Sequence, residues 1–92
     1  MDVFGQIVEK IIKEQEGIIG PIALEQAQKV PGLKIDWQKH EVKFEGSQKD
    51  VVEKLVEKYR DFFGQASVEV CKDAAKRFLP KIPQEQVPAM LR

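Results

Sequence analysis

Residues 47–63, SQKDVVEKLVEKYRDFF, constrain this chain more than any other stretch. The apolar residues are Val51, Val52, Leu55, Val56, Tyr59, Phe62 and Phe63, at steps of 1, 3, 1, 3, 3 and 1. That spacing draws one broad stripe down a 3.6-residue helix. Both ends carry stop signals. Ser47 and Asp50 form an S-x-x-D capping box after Gly46, and Gly64 follows where a helix needs a residue tolerant of the left-handed region. A stripe this wide has to be covered, so the rest of the chain is expected to pack over it.

Ninety-two residues make one domain with a thin core. Fifteen basic and fifteen acidic side chains cancel. Such a balance argues against tight nonspecific nucleic-acid binding, which depends on neutralising phosphates, and against recruitment to anionic membranes. Cys71 is the single cysteine, so no internal disulfide can form. The first ten residues lack the basic and long apolar regions of a signal peptide, and no apolar run approaches the roughly 20 residues of a membrane helix. A cytoplasmic protein is the expectation.

Taken in order, the chain predicts a first helix over residues 3–16, capped by Asp2 and stopped by Gly17. Its apolar residues Val3, Phe4, Ile7, Val8, Ile11 and Ile12 fall at helical spacing. Ile18-Ile19-Gly20-Pro21 reads as a tight apolar corner, with Pro21 opening a short helix that Pro31-Gly32 ends. From Leu33 to Glu45 the period becomes two. Leu33, Ile35 and Trp37, then Val42 and Phe44, alternate with charges, which predicts a β-hairpin. A two-residue loop at Gln38-Lys39 or, in the same register and preferred because Gln-Lys suits a tight turn poorly, a four-residue loop at 37–40 pairs Ile35 with Val42 and Leu33 with Phe44, and places every apolar side chain on one face. After the long helix, a fourth is expected over residues 65–79, burying Val68, Cys71, Ala74, Ala75 and Phe78 and ending at Pro80. The remainder, with Pro80, Pro83 and Pro88, is a tail too apolar to be left in water. The seven aromatic side chains, Phe62 included, fall on expected core faces.

The two halves echo each other. Ile7-Val8-Glu9-Lys10 matches Leu55-Val56-Glu57-Lys58, and Gly20-x4-Glu25-x-Ala27 matches Gly64-x4-Glu69-x-Cys71, with a short gap between the matches. Each glycine would reverse the chain between two helices.

Catalytic signatures are weak. His40 is the only histidine and falls at the hairpin tip, while Cys71 lies on an apolar helix face, so a zinc site of four protein ligands cannot be built from them. The acidic residues alternate with lysines on solvent faces. No metal or cofactor is expected. The corner around Gly17 and Gly20 resembles the helix-hairpin-helix motif that presents backbone N–H groups to DNA phosphates, but its glycines are one residue too far apart and Glu14, Glu16 and Glu25 surround it. Residues Ile19-Gly20-Pro21-Ile22-Ala23 resemble a segment in the C-terminal region of some bacterial serine/threonine kinases and in small uncharacterised bacterial proteins. The likeness covers about ten residues, and Leu24-Glu25-Gln26 replace the basic residues that usually follow. It implies an accessory or regulatory module and carries over no catalytic residue.

The expected fold is α+β, ααββαα, one domain over residues 1–79 with a docked tail over 80–92. A hairpin this small has free edges that can extend to four strands across a homodimer. The expected function is a non-enzymatic protein–protein interaction or oligomerisation module, with a homo-oligomer or another protein as partner. Its contact residues are Leu33, Ile35, Trp37, Val42 and Phe44 of the hairpin, and Gly20 and Pro21 of the corner. A nucleic-acid-binding regulator using Lys34, Lys39 and Lys43, or Lys72, Lys76 and Arg77, is the rival expectation.

Overall fold

Capping sets the two long helices. A computed structural model describes residues 2–92. Helix α1 (Val3–Ile19) starts where the Asp2 carboxylate accepts from the Gly5 N–H at 2.8 Å. Helix α3 (Gln48–Phe63) starts where the Ser47 hydroxyl accepts from the Asp50 N–H at 3.3 Å. The chain reverses after each helix at a glycine of positive φ, Gly20 (76°) and Gly64 (83°). Each of these glycines donates its N–H to a last-turn carbonyl, that of Glu16 or Arg60. The returning helices are α2 (Ile22–Gln28) and α4 (Gln65–Ala75).

Strands β1 (Leu33–Asp36) and β2 (Glu41–Phe44) lie between the helical hairpins. They pair antiparallel, Leu33 opposite Phe44 and Ile35 opposite Val42, around the expected four-residue loop. The architecture is α+β, with the order ααββαα.

Two helix boundaries and one burial depart from the sequence reading. Helix α1 runs through Gly17 to Ile19, because an exposed helical glycine weakens a turn without forcing it open. The apolar corner is therefore helix, not turn, up to Gly20. Helix α4 stops at Ala75 rather than near Leu79. Pro80 has no N–H and its ring crowds the preceding turn, so the backbone tightens early into i→i+3 bonds, Phe78 N–H to Ala75 and Lys81 N–H to Phe78. Phe62, expected in the core, is 57% exposed.

The core is formed by the faces expected of α1, α3 and α4. Ile7, Val8, Ile11 and Ile12 meet Val52, Leu55, Val56 and Tyr59, and Cys71 and Ala75 close against them. The hairpin packs chiefly on the first helical pair rather than on α3: β2 packs on α1, and β1 packs on α2. On the other side, three 3-10 turns at Leu79–Lys81, Gln84–Gln86 and Ala89–Leu91 carry the tail back. Val87, Pro88 and Leu91 are buried, and the last turn rests on α3 and α4.

A shared sequence offset and one reciprocal pair of bonds point to an internal pseudo-twofold between the two helical hairpins, although α4 (Gln65–Ala75) is longer than α2 (Ile22–Gln28). The offset that carries Gly20 onto Gly64 also carries Ile7-Val8-Glu9-Lys10 onto Val51-Val52-Glu53-Lys54 without a gap. Buried residues Ile7, Val8, Ile11, Ile12 and Gln15 become buried Val51, Val52, Leu55, Val56 and Tyr59. Two hydrogen bonds between the halves are reciprocal. Gln15 Nε2 donates to the Ser67 carbonyl at 3.0 Å, and Tyr59 Oη donates to the Ala23 carbonyl at 2.7 Å. Gln15 and Tyr59 are equivalent positions, as are Ala23 and Ser67. Reciprocity of this kind is what a twofold axis produces. At the other end Gln48 Nε2 donates to Asp2 Oδ2, so the starts of α1 and α3 also meet. The two helices run in the same direction, and both glycine corners lie at one end of the molecule.

Candidate interaction surface

The residues singled out in the sequence separate into two groups. Leu33 is buried, and Ile35, Trp37, Val42 and Phe44 are half-buried against the domain's own core. The hairpin's apolar face is thus occupied within the chain. Its solvent face mixes signs: Lys34, Asp36, Glu41 and Lys43 line one shallow depression. Lys34 Nζ lies 2.6 Å from Glu45 Oε1, which raises the lysine's pKa and lowers the carboxylate's through their hydrogen bond and mutual attraction. Lys72 lies 3.6 Å from Glu69. Neither set of lysines forms a face free of carboxylates.

His40 and Cys71 do not come together. His40 takes the left-handed conformation (φ 55°) that closes the hairpin loop, and its Nδ1 lies 3.0 Å from Glu9 Oε2 on α1. Cys71 is fully buried and takes a hydrogen bond from Gln15 Nε2 at 3.4 Å. Burial pushes its thiol up to about 11, against the smaller downward pull of that bond. A thiol held neutral in this way is a poor nucleophile. Among the described residues no three His, Cys, Asp or Glu side chains stand together in a way that could hold a metal ion. No described helix is long and apolar enough to cross a membrane.

Gly20 and Pro21 do reach the surface feature that stands out. In the described structure the large apolar side chains left exposed are Ile18 (65%) and Phe62 (57%). They occupy equivalent positions, two residues before Gly20 and Gly64, and so share one end of the molecule. Each continues a buried stripe: Ile18 follows Ile11, and Phe62 follows Leu55, seven residues on. Seven residues is nearly two helical turns, so each pair lies on one helix face. Periodicity had placed Phe62 inside because it reports the face of a helix, not where the cover over that face ends. Both helices outrun their core by one turn.

The electrostatics of the two corners are opposite. Near Ile18 stand Glu14, one turn back and 2.8 Å from Lys10, and Glu16; the last turn of α1 has no basic residue. Near Phe62 stand Lys58, whose Nζ lies 5.6 Å from the Phe62 ring centroid, and Arg60, 3.3 Å from Asp61. The helix dipole makes both C-terminal ends negative, and only α3 compensates it with a cation.

A second apolar feature lies on the tail. Leu79, Pro80, Ile82 and Val87 line an open groove of about 710 Å³, completed by Lys76, Gln84 and Arg92. Arg92 is tied back to the Gln84 carbonyl at 3.3 Å.

No protein-family model, no curated protein and no solved structure matches the chain.

Proposed function

We propose that this chain is a non-enzymatic protein–protein interaction module, and that it docks through the end formed by Ile18, Gly20, Pro21, Phe62 and Gly64. One observation carries the reading: the core stripes of α1 and α3 continue past their cover and end in solvent at Ile18 and Phe62. Exposed apolar groups grouped at one end of a small domain mark a contact surface. Covering what is left exposed of each side chain is worth about 1–2 kcal/mol.

The hairpin is the weaker place for this role. Each strand has four residues and a neighbour on one side only. Lys34, Asp36, Glu41 and Lys43 lie along those strands, and short strands bearing charge are how sheets avoid edge pairing. A four-stranded sheet across two copies therefore has less support than contact through the glycine end. The likeness of residues 19–23 to a kinase C-terminal segment points the same way, toward an accessory module. The single thiol, Cys71, fits a reducing, cytoplasmic setting.

The test compares wild type with the double variant I18S/F62S. Both sites are exposed, so the variant should melt within a few degrees of wild type. Immobilised in the lysate of its native host, it should lose the partners that wild type retains. Retention of the same partners by both proteins would refute this docking end.

A further inference from the structure

We infer that the groove on the tail binds a short segment of another protein that carries apolar side chains beside carboxylates. This is a second site, separate from the glycine end.

Charge is spread unevenly along the chain. It cancels overall, yet residues 76–92 hold four basic side chains and one acidic. Two of the four, Lys76 and Arg92, line the groove, and among the described residues no acidic side chain does. Both are exposed, and neither is in an ion pair with a described side chain. The groove therefore offers two uncompensated cations beside the apolar floor of Leu79, Pro80, Ile82 and Val87.

The floor is fixed before any ligand arrives. The Ile82 N–H donates to the Leu79 carbonyl at 3.2 Å, and the Val87 N–H to the Gln84 carbonyl at 3.1 Å. Pro80 and Pro83 restrict the backbone, and Arg92 is held by its bond to Gln84. Binding then orders little on this side of the contact.

The same features select the occupant. A volume of about 710 Å³ lies within the roughly 300–1,000 Å³ of ligand-sized clefts. The groove is open to water, so part of its occupant stays wet. A peptide backbone tolerates that and an alkyl chain does not. Apolar side chains of the peptide cover the floor, and its carboxylates take charge-assisted hydrogen bonds from Lys76 and Arg92. A nucleic acid would want rings for its bases to stack on. None lines the groove, and Phe78 nearby is buried, with Arg77 and Lys81 over its ring. Helix α4 starts at the Gly64 corner, and its 11 residues set Lys76 about 16 Å from that corner. Filling one site leaves the other open.

Selection from a phage-displayed library of random linear peptides, against the whole folded chain, tests this. Enriched peptides should combine apolar residues with Asp or Glu. Made as fluorescent conjugates, they should bind more weakly as salt is raised. They should lose about tenfold or more in affinity for K76E/R92E, whose helicity and melting should match wild type because both sites are exposed. In amide NMR spectra they should shift Leu79, Ile82 and Val87. Enriched peptides that bind K76E/R92E as well as wild type would overturn the site, and so would a selection that enriches nothing. Dodecanoate or a single-stranded oligonucleotide shifting those amides where no peptide does would overturn the peptide as occupant. Self-association abolished by K76E/R92E would put a second copy there and overturn it too. I18S/F62S leaves the groove intact and should bind the peptides as wild type does, so failure at one site is read apart from failure at the other.

Discussion

Glu9 and Glu53 are equivalent under the internal pseudo-twofold, and each holds the segment that follows its own helical hairpin. Glu9 Oε2 lies 3.0 Å from His40 Nδ1 at the tip of the β-hairpin, and Glu53 Oε1 accepts from the Met90 N–H of the tail at 2.8 Å. The β-hairpin packs on α1 and α2, and the last tail turn packs on α3 and α4. The tail thus takes, in the second half, the place that the hairpin takes in the first.

The two clamps differ in depth, and so should their loss. His40 is exposed, and a surface contact between its ring and a carboxylate contributes little. Glu9→Ala should cost less than about 0.5 kcal/mol. The Glu53 bond is partly buried, and its removal leaves the Met90 N–H without an acceptor. Glu53→Ala should cost about 1–2 kcal/mol and open the tail to carboxypeptidase before the domain unfolds. Urea titration with timed digestion measures both. Equal costs would mean the tail is not held at this point.

The reciprocal bonds of Gln15 and Tyr59 make a matched pair of predictions. Tyr59→Phe keeps the ring and removes the donor to the Ala23 carbonyl; Gln15→Leu keeps the bulk and removes the donor to Ser67 and Cys71. Each should lower stability by about 1 kcal/mol, read as a shift in urea midpoint at constant slope. A null result for Tyr59→Phe would show that packing alone joins the halves there.

Much of this was legible in the sequence. The alternation of Leu33, Ile35, Val42 and Phe44 settled the hairpin register, and Ser47 with Gly64 settled α3, because caps and periods are local properties. The internal match is visible in the sequence, but it falls one turn out of place, on Leu55-Val56-Glu57-Lys58 rather than Val51-Val52-Glu53-Lys54. A helix shows the same face every turn, so two apolar residues followed by Glu-Lys recur at that spacing. Only the tertiary bonds of Gln15 and Tyr59 choose between them. The exposure of Ile18 and Phe62 was not legible, since it depends on where α2 and α4 stop covering their neighbours.

Alkaline pH should unfold the protein through its buried acids. Burial raises the Cys71 thiol from 9.0 to about 11, and raises the Tyr59 phenol as well. The unfolded chain releases the thiol proton first, so between these values the folded state binds more protons and stability falls as pH rises. The thiol's contribution is complete below pH 9 and is lost toward pH 11, at up to about 1.4 kcal/mol per pH unit. Urea midpoints taken from pH 7 to 10.5 should decline over that window, and less steeply in Cys71→Ala, which places in the second half the residue that Ala27 supplies in the first. In the native protein at pH 8, a thiol reagent should react only as fast as the chain unfolds. Rapid native labelling would contradict the burial of Cys71.

The glycines of positive φ should not be equally sensitive. At Gly20 and Gly64 an added Cβ would meet nothing within 4 Å. Alanine there faces only the backbone, at φ 76°, ψ −158° and φ 83°, ψ −175°, a region nearly confined to glycine, at a cost on the order of 2 kcal/mol. Gly32, at φ 81°, is different. A Cβ there would stand 2.7 Å from the Glu45 carbonyl oxygen and 3.1 Å from Val51 Cγ2. Neither neighbour can move freely. Glu45 is fixed by its N–H bond to the Gly32 carbonyl at 2.8 Å, at the open end of the hairpin, and Val51 is buried in α3. Relieving the clash would shift either the hairpin register or the first turns of α3. Gly32→Ala should therefore cost about 3 kcal/mol or more, well above Gly20→Ala and Gly64→Ala. Thermal melts of the three variants give the order directly. If Gly32→Ala ranked with the other two, the hairpin base would be free to slide away from α3, and the close seat of Gly32 between Glu45 and Val51 would be wrong.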